Sequence, residues 1–167
     1  MREGWKTVKL KEISTKIGDG LHGTPKYDEN GSYFFINGNN LNNGSILIKE
    51  DTKRIDEKVY NKIKKELNDR TILIGINGTL GNIGLYKGER IALGKSACYI
   101  NLVLDVDKNY IRYVFEGQHF QNYAYLFATG STIKNLGLKA IRNYKINLPP
   151  LKTQRKIASI LSAHDDL

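Results

Sequence analysis

The sequence predicts an α+β domain with a curved, mixed or antiparallel sheet, flanking helices, and a last helix that begins a longer rod. Short runs rich in β-branched and aromatic residues recur (33–36, 71–76, 97–106) and are separated by long polar connections rather than regular crossover helices. Apolar residues spaced at three and four are confined to a few stretches. The run Ile146-Asn-Leu-Pro-Pro-Leu stops a strand and starts a helix. Pro149 and Pro150 cannot donate to a ladder, and each fixes its φ near the value of a first helical turn.

In chain order, Trp5, Val8, Leu10, Ile13 and Ile17 suit one side of a short strand and helical turn, with Trp5 as a core anchor. Gly18-Asp-Gly-Leu-His-Gly matches a dinucleotide-loop spacing. Thr24-Pro25 follows it, so no helix can start on those glycines and the match is rejected. Residues 18–31 then form a long polar loop carrying Asp19, His22, Thr24, Lys26 and Tyr27. The strand 33–36 empties into Asn37-Gly-Asn-Asn-Leu-Asn-Asn-Gly44, with five asparagines in eight residues. Asparagine caps its own turns and also pairs bidentately with adenine, so both uses stand.

A strand returns at 45–49. Asp56 caps a helix to about 67, with Ile55 and Tyr60 as a hydrophobic staple. Val59, Ile63 and Leu67 form its buried line and Lys58, Lys62, Lys64 and Lys65 its wet side. The central strand 71–76 leads to Asn77-Gly-Thr-Leu-Gly-Asn-Ile-Gly84, with glycine every third residue. Such spacing serves close backbone approach to a partner or a hairpin. Gly94-Lys95-Ser96 hints at a phosphate loop, but five residues separate it from Gly88 where four are needed, which excludes ATP binding there. After the strand 97–106, Asp107 or Asn109 caps a helix with Ile111, Val114, Phe115 and Gln118 on one face, broken at Gly117. Phe120, Tyr123, Ala124 and Phe127 follow as core. Residues 138–146 make a short helix and then a strand.

The length of 167 residues suits one domain. Lys and Arg number 26 against 17 Asp and Glu, a net charge of +9, which favours a polyanionic or acidic partner. Between 129 and 167 stand Lys134, Lys139, Arg142, Lys145, Lys152, Arg155 and Lys156 against Asp165 and Asp166. The single cysteine, Cys98, sits in an apolar run and reads as a buried hydrophobe in a reducing cytoplasm. No stretch is long and apolar enough to predict a membrane span.

The run Gly130-Ser-Thr…Leu136…Ile146-Asn-Leu-Pro-Pro-Leu-Lys-Thr-Gln-Arg-Lys-Ile-Ala-Ser-Ile-Leu resembles the target-recognition domain of type I restriction-modification specificity subunits. Gly4-Trp5-Lys…Leu10…Ile13 and Gly78-Thr-Leu-Gly-Asn-Ile-Gly resemble that family's other landmarks, in the same order. Lys152-Thr153 departs from it, since the position before the glutamine is usually acidic there. The resemblance implies a recognition domain at 1–148 and the start of a spacer or dimerisation helix at 149–167. It implies that the domain reads one half of a bipartite target in double-stranded DNA and has no catalysis of its own. Modification subunits using S-adenosylmethionine and a restriction subunit using ATP and Mg would do the chemistry, this chain holding neither cofactor nor metal.

Under that reading Lys26, Lys95, Lys134, Lys139 and Arg142 hold phosphates and set register. His22, Thr24, Asn37, Asn39, Asn40, Asn77, Thr79, Asn82, Ser131 and Thr132 offer amides, hydroxyls and a ring to base edges. Ile157, Ile160, Leu161, His164 and Leu167 meet a counterpart helix from a second recognition domain or a second copy. A scattered His22, His119 and His164 with one cysteine give no metal-ligand spacing, and no nucleophile elbow is present. Two alternatives stay open: a basic protein-interaction domain, or a recognition domain cut from a single-chain methyltransferase or nuclease.

Overall fold

A computed structural model describes residues 3–165. β1 (Lys6–Lys9) passes through a 3₁₀ turn (Leu10–Ile13) into β2 (Ser14–Asp19). A loop leads to β3 (Tyr33–Ile36), a second 3₁₀ turn (Gly38–Asn40) and the hairpin of β4 (Leu41–Asn42) and β5 (Ser45–Ile46). Then come β6 (Arg54–Ile55), α1 (Glu57–Ile63), β7 (Thr71–Gly75), β8 (Ile83–Leu85), β9 (Ile91–Leu93) and β10 (Ala97–Leu102). The chain closes with α2 (Lys108–Glu116), α3 (Gln118–Phe127), α4 (Leu138–Asn143), β11 (Lys145–Leu148) and α5 (Leu151–Asp165).

The expected α+β class holds, but the strands sort into separate sheets rather than one. The central sheet runs β2-β10-β7-β8, antiparallel throughout. A second runs β6-β3-β9, with β3 and β9 parallel. Strand alternation decides the layers. Ile72, Ile74, Cys98, Ile100 and Leu102 share a core with Ile111, Phe115 and Phe120 of the helices. Leu73, Ala97 and Tyr99 share another with Ile36, Ile91 and Leu93 of the second sheet. The central sheet is therefore covered on both faces, which is why β7, β8 and β10 are buried along their whole length.

The expected Asp56 cap forms, accepting from the Val59 amide at 2.7 Å. Of the two candidates for the next helix Asp107, not Asn109, is the cap, accepting from the Tyr110 amide at 2.8 Å. Several boundaries move. β5 ends at Ile46 rather than 49, because a turn closed by Thr52 at the Lys49 amide (2.8 Å) draws the chain away. α1 ends at Ile63 rather than near 67, since Lys64 is already extended (ψ 146°). β10 ends at Leu102 instead of 106. A bulge interrupts its pairing there, and the Arg70 guanidinium takes the Leu102, Val103 and Val106 carbonyls. Gln118 and Phe127 face solvent rather than the core, and Trp5 is half-buried rather than enclosed. Cys98 is fully buried, and burial pushes its thiol pKa up.

The terminal helix docks on its own domain through one side and leaves most of the face expected to meet a counterpart helix open. Gln154 and Ala158 are buried and Ile157 half-buried, while Ile160 (53% exposed), Leu161 and His164 face outward. Leu167 lies outside the described residues. The Gln154 amide bonds the Asp107 N–H at 2.8 Å and the Pro149 carbonyl at 2.8 Å, tying the start of α5 to the cap of α2. At the other end Asp165 accepts from Tyr113 at 2.7 Å and Arg112 at 3.1 Å.

Candidate nucleic-acid interface

One end of the central sheet gathers loops that are far apart in sequence. β2 ends there, β7 ends there, and β8 and β10 begin there, because Cys98 pairs with both Asp19 and Ile74, and Ile74 with Ile83. Backbone bonds lash the connecting loops together. Leu21 N–H meets the Leu93 carbonyl at 2.7 Å, Gly94 N–H meets Ile36 at 2.8 Å, and Ile76 N–H meets Ser96 at 2.9 Å. The loop after α3 joins them: Gly78 N–H meets Lys134 at 2.9 Å, Leu136 N–H meets Ile76 at 2.7 Å, and Asn135 bridges to both Asn77 and Thr129. The asparagine turn fits closely against the same loops. A Cβ on Gly38 would stand 2.9 Å from the Ser96 oxygen and 3.1 Å from Gly75 Cα, so only glycine lets that backbone in.

Most of the residues expected at base edges arrive at this end, in three states. Asn37, Asn40 and Asn82 hold the scaffold. Asn37 Oδ1 accepts from the Ser96 hydroxyl at 2.9 Å; Asn40 Oδ1 accepts from the Asn37 amide at 2.9 Å and its Nδ2 donates to Leu47; Asn82 Nδ2 donates to the Leu41 carbonyl at 2.8 Å. Asn77 and His22 have one surface partner each, Asn135 Oδ1 at 3.2 Å and Asp19 Oδ2 at 2.7 Å. Asn39, Ser131 and Thr132 are exposed, Thr79 is half-exposed, and none of their side chains bonds within the described residues. Thr24 and Lys26 lie to one flank, on exposed chain between Leu21 and the Asp28 N–H that meets Arg54.

Of the expected phosphate groups, Lys95 and Lys134 belong to the loops at this end, and Lys139 and Arg142 lie on α4, which packs along β2. Lys95 lies in the exposed turn between β9 and β10, and Lys139 and Arg142 are exposed on α4. The Arg142 guanidinium reaches the Ile17 carbonyl of β2 at 3.1 Å. Lys134 is half-buried, with its amine 5.5 Å from the centre of the Tyr125 ring. Lys49 and Lys53 were missed by sequence reasoning. With Tyr27 and Asn39 they line a cavity of about 220 Å³ beside the asparagine turn, which also contains Asp51. Nothing in the sequence brings 27, 39 and 53 together; the pairing of β3 with β6 does. Among the described residues no three His, Cys, Asp or Glu side chains stand close enough to hold a metal ion. No described helix is long and apolar enough to cross a membrane.

A polar, glycine-rich surface carrying Lys95 and Lys134 suits a duplex, and comparison with known proteins gives the family. The model of the type I restriction modification DNA specificity domain matches residues 2–167. The chain belongs to that family. This specificity domain is 30% identical over 126 residues to a Haemophilus influenzae protein described as a type I restriction enzyme specificity subunit, covering 69% of this chain and 31% of that one. It is 27% identical over 179 residues to the MjaIX specificity subunit of Methanocaldococcus jannaschii, covering 98% and 38%. It thus spans about a third of the length of these relatives. Among solved structures, the S subunit from M. genitalium superposes with a TM-score of 0.68 at 22% identity, over 97% of this chain and 39% of that one. The HsdS subunit from Thermoanaerobacter tengcongensis gives 0.72 at 17%, over 99% and 38%. These likenesses show that the fold is shared.

Proposed function

We propose that this specificity domain reads one half of a bipartite DNA target and leaves the chemistry to partner subunits. The observation that carries this is the convergence of the 19–22, 37–40, 77–82, 94–96 and 129–136 loops at one sheet end, with Lys95 and Lys134 among them and Lys139 and Arg142 exposed on α4. The amines hold phosphates and set register, while Asn39, Asn77, Thr79, Ser131 and Thr132 meet base edges. Modification subunits carry S-adenosylmethionine and a restriction subunit carries ATP and Mg, with no cofactor held here. Ile160 and Leu161, exposed on α5, meet the helix of a second recognition domain or a second copy. The complex works in the cytoplasm, where its DNA is.

The test is selection from random duplexes by the chain joined to its modification subunit, followed by mapping of the methylated adenine. The expected result is one short half-target, with each correctly read base pair contributing about 1–3 kcal/mol. Asn77→Ala and Thr79→Ala shift base preference more than total affinity. No preference at any ionic strength would overturn the reading.

A further inference from the structure

The end of α3 reads Tyr123-Ala-Tyr-Leu-Phe127, apolar all the way round. A helix of that kind is normally covered on every side, yet this one is covered on one. Ala124 is buried, while Tyr125 is 69%, Leu126 77% and Phe127 52% exposed, and Ile133 in the next loop is 62% exposed. Beside this ridge His119, Tyr123 and Phe127, one helical stripe at intervals of four, join Tyr144 in an open groove of about 520 Å³. The rings support one another, Tyr123 lying 4.4 Å from Phe127 and 4.9 Å from Tyr144 by centroids. Lys9 and Lys145 form the rim, and no carboxylate lines the groove. These two lysines are direct partners in the β1–β11 ladder, where like charges facing one another destabilise the pair.

We infer that this groove and ridge form a docking surface for a segment of a partner protein that carries apolar side chains between carboxylates. The apolar side chains fill the aromatic floor and cover the ridge, and the carboxylates relieve the opposed lysines. A duplex is a poor occupant, because it presents charged phosphates where the groove presents aromatic carbon. Ile133 precedes Lys134, so the surface adjoins the loops assigned to DNA. A partner seated here lies against the duplex being read, as the subunit that modifies that duplex must. The identity of the partner rests on the function proposed above; the surface itself does not.

Leu126→Asp with Phe127→Asp changes exposed side chains of the ridge and groove outside the loops assigned to DNA, and Lys9→Glu with Lys145→Glu reverses the rim. Leu104→Asp is the control, being 79% exposed at the opposite end of β10. Association with the purified modification subunit is measured by calorimetry, and binding of the chain alone to arbitrary duplex by fluorescence anisotropy across a salt series. The double aspartate and the double glutamate variants each weaken association at least tenfold and the control does not. Binding of the aspartate variant to duplex stays within about twofold of the parent. Unchanged association in both double variants overturns the inference, and so does a loss of duplex affinity with association intact, which would make DNA the occupant. Absence of sequence preference in the parent complex would sink the specificity reading while leaving the association result to judge the surface.

Discussion

Single residues show how one amide or hydroxyl decides between scaffold and contact. Thr71 and Asn101 are both buried; the Thr71 hydroxyl donates to Asn101 Oδ1 at 2.6 Å, and Asn101 Nδ2 donates to the Glu66 carbonyl at 2.8 Å. Thr71→Val strands a buried acceptor and is expected to cost about 1–3 kcal/mol, read from the urea midpoint at unchanged slope. Tyr144 carries a pH dependence. Burial, reinforced by Tyr123 and Tyr110, pushes its phenol up from 10.0 to about 12. Above pH 10 the unfolded chain releases that proton while the folded chain keeps it, so stability is full below pH 10 and falls as pH rises towards 12. Tyr144→Phe should flatten that loss in alkaline unfolding curves, though it also removes the hydrogen bond to His119. The asparagines mark what a sequence can disclose at this scale. That 37–44 would be a turn was legible from composition. Which amides the turn consumes was not, because Asn37 is fixed by Ser96, 59 positions away.

At the scale of elements, local patterns placed α1 to α5, and capping chemistry placed the start of α1 and narrowed that of α2 to two residues. Lengths were less legible. Arg70 ends β10 from across the fold, and no pattern within 97–106 announces it. α5 gives the sharper lesson. Its stripe of Gln154, Ile157, Ile160, Leu161, His164 and Leu167 leaves open whether the helix docks on the domain or on a partner helix. Gln154 and Ala158 make the seat on the domain, and Ile160, Leu161 and His164 face outward. A small side chain allows close approach and an amide can bond two backbone groups, advantages that hydrophobicity alone does not register. Gln154→Leu leaves the Asp107 N–H and the Pro149 carbonyl without their partner. We expect a loss of about 1–3 kcal/mol for each buried group so stranded. Hydrogen exchange at the Asp107 amide should quicken as α5 loosens, and unchanged protection would remove Gln154 from the tie.

For the whole molecule, charge and shape act together. The chain alone should hold arbitrary duplex with a Kd of roughly 10⁻⁴ to 10⁻⁶ M at physiological salt. Neutralising Lys134 and Lys139 is expected to weaken binding to all sequences alike and to reduce the slope of log K against log salt by about two. An unchanged slope would take both amines out of the phosphate set. The basic balance was legible from composition, and the loops could be named one by one. Their assembly at one end could not, because the order β2-β10-β7-β8 departs from chain order and only the ladder reveals which loops become neighbours.

β1 and β11 pair along their length, Lys6 against Leu148 and Lys9 against Lys145, and Pro150 packs over Gly4. The polypeptide thus passes in and out through a single doorway, with the body of the domain hanging from it like a pendant. Such a unit can be cut at the doorway and grafted between other helices without stretching either neighbour. Under the function proposed above, exchanging the pendant at its doorway changes which DNA sequence is read.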